Sequence, residues 1–299
     1  MDPLIIEVAH NGSASKKHNP NVPRSPNEVA ADILECLEAG ASIFHSHLED
    51  YTLYGQAAAD QYAAAYNQVL AKRPDAILHA TGTMAPTLED RWTHIGMLAD
   101  AGITRMAFTD PGSCNVGFTD ERGVPKSGYV YATPYEEIDY TFAFLREKKL
   151  GSTVSIYEPN FLHATLAYER AGLMPQGSMV KFYMSGDYNF IDGSKGQYWG
   201  IKATPTGLAA YREMYASSKL PWAVCAIGGD VTATGLAKIA IEEGGHIRVG
   251  LEDYCGPRKP KNIELVEEVI ALAKAAGRPL ATSYDAAAIL NLPRGPFRT

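Results

Sequence analysis

Glu38-Ala39-Gly40-Ala41-Ser42-Ile43-Phe44-His45-Ser46-His47 contains one full beat of the fold. Glu38 and Ala39 end a helix, and Gly40 stands where a helix C-cap needs a left-handed residue. Ile43 and Phe44 start a strand, and its far end turns polar. Upstream, Ser25-Pro26-Asn27-Glu28 is a capping box with proline at the first helical position. Val29, Ile33, Cys36 and Leu37 follow at core spacing. The same beat recurs along the chain. Strands are expected at residues 4–9, 43–47, 76–80, 104–108, 152–157, 179–184, 222–227 and 246–251. Helices are expected between and after them, the last opening at Asn262 as N-cap and running to about Ala275. Eight units in strict alternation, with no break in composition, point to one α/β domain over residues 1–299. Eight parallel strands close a (β/α)8 TIM barrel. The alternative, a doubly wound open sheet, needs a glycine-rich turn after the first strand. His10-Asn11-Gly12-Ser13-Ala14-Ser15 has no Gly-x-Gly. The barrel is the expected fold.

Bulk composition narrows the function classes. The chain has 27 basic and 34 acidic residues, a net charge of −7, and its basic residues occur only singly or in pairs. That balance disfavours non-specific nucleic-acid binding. The amino terminus, Met1-Asp2-Pro3-Leu4-Ile5-Ile6, lacks a basic leader and a long apolar run, and no stretch reaches the ~18 apolar residues of a membrane helix. Cys36, Cys114, Cys225 and Cys255 are scattered without C-x-x-C spacing, which suits reduced thiols. A cytoplasmic protein with no nucleic-acid or membrane partner is expected.

In such a barrel the chemistry sits at the C-terminal strand ends. Strand side chains alternate, so His45 and His47 face the same side, roughly 6–7 Å apart along the chain. Two imidazoles so placed can hold one metal ion, and a carboxylate from elsewhere would complete a three-ligand zinc site with an open position. The plainer reading is a polar strand end with two solvated histidines. Glu252, leaving the eighth strand, is the natural third ligand. Arg248, four residues earlier, shares its inward parity, and could equally be a core-lining arginine paired to a carboxylate. Asn11, Thr81, Gly82 and Asp110, at the first, third and fourth strand ends, are candidate substrate contacts. Asp253 is a base or a loop acid. Glu49-Asp50 would orient the histidines or cap the next segment. His79 and His246 are expected to be structural and far from the mouth, His94 on a helix surface, and His18 and His163 solvated. Two long loops, about 109–133 and 185–203, carry Tyr129, Tyr131, Tyr188, Tyr198 and Trp199. These aromatics are read first as packing between subunits and second as pocket lining.

The blocks Glu38-Ala39-Gly40-Ala41, His45-Ser46-His47, Thr81-Gly82 and Gly244-Gly245-His246-Ile247-Arg248-Val249-Gly250-Leu251-Glu252-Asp253 occur in an order that resembles the β-keto acid cleavage enzymes. The resemblance covers essentially the whole chain and implies a zinc-bearing TIM barrel, commonly a tetramer. Such an enzyme converts a β-keto acid and acetyl-CoA into acetoacetate and a shortened acyl-CoA. By position it implies His45, His47 and Glu252 as Zn2+ ligands, Arg248 at the keto-acid carboxylate or assisting its acid partner, and Asp253 in the base system. The chain departs from the family pattern at Ala14, Leu48, Ala80, Phe108-Thr109-Asp110 and Gly228-Gly229-Asp230. Two other readings are a metal-dependent hydrolase of the amidohydrolase type and a zinc-binding barrel with altered chemistry. The hydrolase wants histidines at the fifth and sixth strand ends, where Ser155, Glu158 and Ser185 stand.

Overall fold

The beat read from residues 25–47 is realised as expected. In the computed structural model, which describes residues 1–295, Ser25 Oγ accepts from the Glu28 amide and Glu28 Oε2 accepts from the Ser25 amide. That box starts helix α1 (Pro26–Ala39), which Gly40 ends with φ 123°. The barrel strands are β1 (Ile6–Ala9), β2 (Ile43–Ser46), β3 (Ile77–Ala80), β4 (Met106–Thr109), β7 (Gly151–Ile156), β8 (Met179–Ser185), β10 (Trp222–Ile227) and β11 (His246–Val249). Helices α2 (Gly55–Leu70), α3 (Leu88–Asp100), α4 (Tyr135–Lys148), α5 (Pro159–Arg170), α6 (Pro205–Tyr215), α7 (Leu236–Glu242) and α8 (Asn262–Ala275) complete the units.

All eight strands are parallel, in the order β3-β2-β1-β11-β10-β8-β7-β4. β3 and β4 lie side by side, and the Thr104 hydroxyl donates to the Leu78 carbonyl at 2.6 Å across that seam. The sheet is a nearly closed (β/α)8 barrel. Strand parity sorts the side chains. Ile6 and Val8 face the helices within the main apolar core, whereas Ile5 joins Ile43, Ile77, Met106 and Met179 inside the barrel floor.

Three features differ from the sequence reading. The loop after β4 folds into an antiparallel hairpin, β5 (Cys114–Thr119) with β6 (Pro125–Tyr131), and β9 (Gln197–Tyr198) from the second long loop pairs with it. A ninth helix, α9 (Ser283–Leu290), packs Ala286 and Leu290 onto the barrel floor. Asn262 does not cap α8, because Lys261 occupies the N-cap position. Asn262 is buried instead, and its amide ties Leu251, His10 and Asp32 together.

Candidate active site

β2 and the turn after β11 converge at the mouth. His45 Nε2 and His47 Nε2 lie 3.0 Å apart, and Glu252 Oε2 is 3.6 and 3.4 Å from them. Among the described residues these three form the one group of His, Cys, Asp or Glu side chains whose ligand atoms all lie within 4.8 Å of one another. Glu252 Oε2 is buried and has no hydrogen-bond donor. An orphaned carboxylate oxygen facing two imidazole nitrogens is what a dipositive ion would satisfy, so the residues fit a metal. Burial holds His45 well below its ordinary pKa, with Glu252 only partly opposing, so the imidazole is neutral and able to ligate. Burial opposes ionisation of Glu252, yet His47 and Arg248 hold its carboxyl well below the usual range. Two glycines make the close approach feasible. A Cβ on Gly12 would stand 2.2 Å from Glu252 Cγ, and one on Gly250 would stand 2.0 Å from the Ala9 carbonyl oxygen.

The support beneath the pair is built from residues that the sequence reading placed elsewhere or did not single out. His79 is not remote: its Nδ1 is 3.1 Å from His45 Nδ1, and its Nε2 is 3.5 Å from Glu7 Oε1. The inward parity of β1 and β8 buries Glu7 against Lys181 at 2.8 Å. A charged residue within each apolar run, Ile6-Glu7-Val8 and Val180-Lys181-Phe182, was the available signal. Tyr51 Oη is 3.1 Å from His47 Nδ1. Asn11, fully buried, accepts from the His47 amide at 2.9 Å and donates to its carbonyl at 3.0 Å. Its amide therefore positions the His47 backbone. Glu49 is exposed, and Asp50 caps Thr52. His94 is buried rather than on a helix surface, its Nε2 2.8 Å from the Thr81 carbonyl oxygen. His18 is half-buried, and His163 is exposed.

Arg248 is 1% exposed and is held on three sides. Nε and Nη2 donate to Asp253 at 2.8 Å each, Nη2 donates to Glu252 at 2.7 Å, and Nη1 donates to Glu7 at 3.3 Å. Four of the five guanidinium N–H groups are thus engaged, leaving one on Nη1. Burial raises the Asp253 pKa despite the arginine. Arg248 lines the cavity that also holds the His pair and Glu252, whereas Asp253 borders only a separate crevice that Arg248 shares.

That cavity, of about 180 Å³, is walled by Phe108, Tyr129, Tyr131, Tyr157, Tyr183 and Trp199, and is also lined by Thr81 and Asp110. An adjoining lobe shares His47, Thr81, Phe108, Asp110 and Tyr131, and adds Gly82. Tyr129, Tyr131 and Trp199 therefore line the pocket, while Tyr188 and Tyr198 do not. Trp199 is buried, and its indole N–H has no partner.

A family model described as beta-keto acid cleavage enzyme matches residues 3–292. The chain belongs to the beta-keto acid cleavage enzyme family. This family member is 28% identical over 301 residues to the 3-keto-5-aminohexanoate cleavage enzyme of Acetoanaerobium sticklandii, covering 98% of this chain and 100% of that one. It is 26% identical over 306 residues to the 3-oxoadipate:acetyl-CoA acetyltransferase of Cupriavidus necator, covering 97% and 95%. Among solved structures, apo ObcA superposes with a TM-score of 0.68 at 17% identity, covering 92% of this chain and 66% of ObcA. Yersinia pestis dihydropteroate synthase superposes at 0.54 with 13% identity, covering 92% and 94%. These structural likenesses concern the barrel. No helix among the described residues is long and apolar enough to cross a membrane.

Proposed function

We propose that this beta-keto acid cleavage enzyme family member is zinc-dependent and exchanges acyl groups between a β-keto acid and acetyl-CoA. The bond between the keto carbon and the CH2–COO⁻ unit breaks, and the acetyl group joins that unit as acetoacetate. The remaining acyl group leaves on the CoA sulfur, so atoms balance without a redox partner. The observation that carries this reading is the convergence of His45, His47 and the unpartnered Glu252 oxygen beside Arg248 in one cavity.

His45, His47 and Glu252 would hold the ion. When bound, zinc supplies a Lewis acid for the ketone oxygen and for enolate charge. The free Nη1 proton of Arg248 is the cavity's charged donor for the substrate carboxylate. Asp253 fixes the guanidinium plane through two parallel hydrogen bonds, so its contribution to the base system passes through Arg248. Thr81 and Gly82 line the two lobes where the substrate backbone would lie, and Asn11 sets the His47 ligand. The unpartnered Trp199 N–H offers a donor to a thioester or ketone oxygen. The aromatic walls exclude water that would otherwise hydrolyse an acyl thioester. The proposal includes a cytoplasmic homotetramer, for which Val130 and Tyr135, 65% and 78% exposed, offer apolar contact surface.

The test incubates the zinc-loaded protein with acetyl-CoA and a panel of β-keto acids and assays acetoacetate. Product with at least one acid is expected, and none with any acid would overturn the reading. His45→Ala and Glu252→Ala should each lose most bound zinc, read by metal analysis after gel filtration. Unchanged metal content in both would remove the ligand assignment.

A further inference from the structure

The two relatives above are named for keto acids whose halves remote from the β-keto carboxylate carry opposite charge, a 5-amino group in one and a second carboxylate in the other, and identities of 28% and 26% do not choose between them. The cavity wall does. We infer that Asp110 selects a β-keto acid whose far end carries a cationic nitrogen, an inference that rests on the activity proposed above.

Position comes first. Around the ring of strands β4 stands four places from β11, which leads to Glu252, and two from β2, which carries the histidines. Asp110 follows β4 and therefore faces the same cavity from across the mouth. A keto acid held at its carboxylate end by Arg248 and the metal ligands runs its chain toward Asp110.

Charge comes second. Asp110 takes part in no ion pair among the described residues; its partners are hydroxyl groups, Tyr131 at 2.5 Å and Ser155. Arg248 is the one Lys or Arg lining this cavity, and three carboxylates already hold it. In the adjoining lobe Arg91 pairs with Glu137 at 3.2 Å. Aromatic rings and the hydroxyls of Thr81 and Ser155 make up the wall beside Asp110: Phe108 stacks on Trp92 at 5.0 Å, and Tyr131 on Tyr157 at 5.4 Å. A substrate ending in carboxylate would meet a like charge there with no cation to receive it. A hydrocarbon end would leave a desolvated carboxylate unpaired. An ammonium supplies the missing counter-charge and gains from the surrounding ring faces. Burial raises the Asp110 pKa, as expected for a carboxyl lacking that counter-charge.

The experiment compares β-keto acids of equal length ending in ammonium, methyl or carboxylate. It uses zinc-loaded enzyme and reads both turnover with acetyl-CoA and equilibrium binding without it. The ammonium acid should be favoured over the methyl acid roughly 10- to 150-fold, the worth of a hydrogen bond to a charged group. Asp110→Asn should bring that ratio close to one, and Asp110→Lys should shift preference to the carboxylate acid. Zinc content and melting temperature show that each variant is folded. Equal binding of all three acids, or an Asp110→Asn ratio equal to wild type, overturns the inference. Asp110-dependent binding of the ammonium acid without any acetoacetate would overturn the activity and leave this inference standing.

Discussion

His79 shows how much one buried ring can contribute without touching substrate. Two Nδ1 atoms 3.1 Å apart require one proton between them. If His45 ligates through Nε2, its Nδ1 carries that proton and donates to His79. His79 then holds its own proton on Nε2, facing Glu7 Oε1 at 3.5 Å. This is the carboxylate–histidine–ligand chain that fixes a ligand's tautomer and orientation. His79→Phe keeps the ring volume but removes the acceptor, so zinc affinity should fall about 10- to 100-fold in a chelator competition. Unchanged affinity with a normal melting temperature would reduce His79 to a packing group. The histidine pair itself was legible, because a two-residue strand period places His45 and His47 on one side from sequence alone. His79 was not, because its value depends on β3 lying next to β2 in register, with His45 opposite His79.

Among the elements, α1 was readable to the residue and α9 was not. Ser25-Pro26-Asn27-Glu28 is a local signal whose hydrogen bonds close within four residues. The segment Ser283–Leu290 has a capping box of its own, Thr282 with Asp285, but it is short and alanine-rich, and what holds it in place is the barrel floor it covers. Leu290, 3% exposed, packs there with Ile5, Ile43 and Ile77. Leu290→Ala should therefore destabilise the protein by about 2–5 kcal/mol in urea unfolding. Tyr284→Ala on the exposed side of the same helix should change stability by less than about 0.5 kcal/mol. Equal effects would mean that α9 does not seal the floor. The β5–β6 hairpin was hidden for a related reason. Its glycines and polar residues read as a loop, and pairing with β9 from a distant loop decides its form.

For the molecule as a whole, burying histidines makes stability depend on pH. Burial lowers His94 to about 4 and His246 to about 3. An unfolded histidine titrates near about 6.5, so above that value neither state carries the proton and these groups add no slope. Below it the unfolded chain gains protons that the folded chain refuses. Stability then falls by about 1.4 kcal/mol per pH unit for each group, until the folded value is reached. Between pH 7 and 5 His94 alone should account for about 2 kcal/mol of the loss. His94→Gln keeps a side-chain donor near the Thr81 carbonyl but cannot take the proton, so its loss over this interval should be smaller by that amount. Urea unfolding at both pH values gives the comparison, and an identical loss in the variant would contradict the assignment.

Taken by itself, the sequence determined the α/β beat, the count of eight barrel units, the inward parity of His45, His47 and Arg248, and the family. Those features are local or periodic, so they survive without knowledge of neighbours. Only the tertiary structure decided that Glu252 keeps one oxygen unpartnered opposite the imidazoles, that three carboxylates hold Arg248, and that Asp110 faces them across the mouth with hydroxyl partners and no ion pair among the described residues. Each of those depends on which strands close the ring and in what register, since a charge is paired or unpaired only by what lies beside it in space.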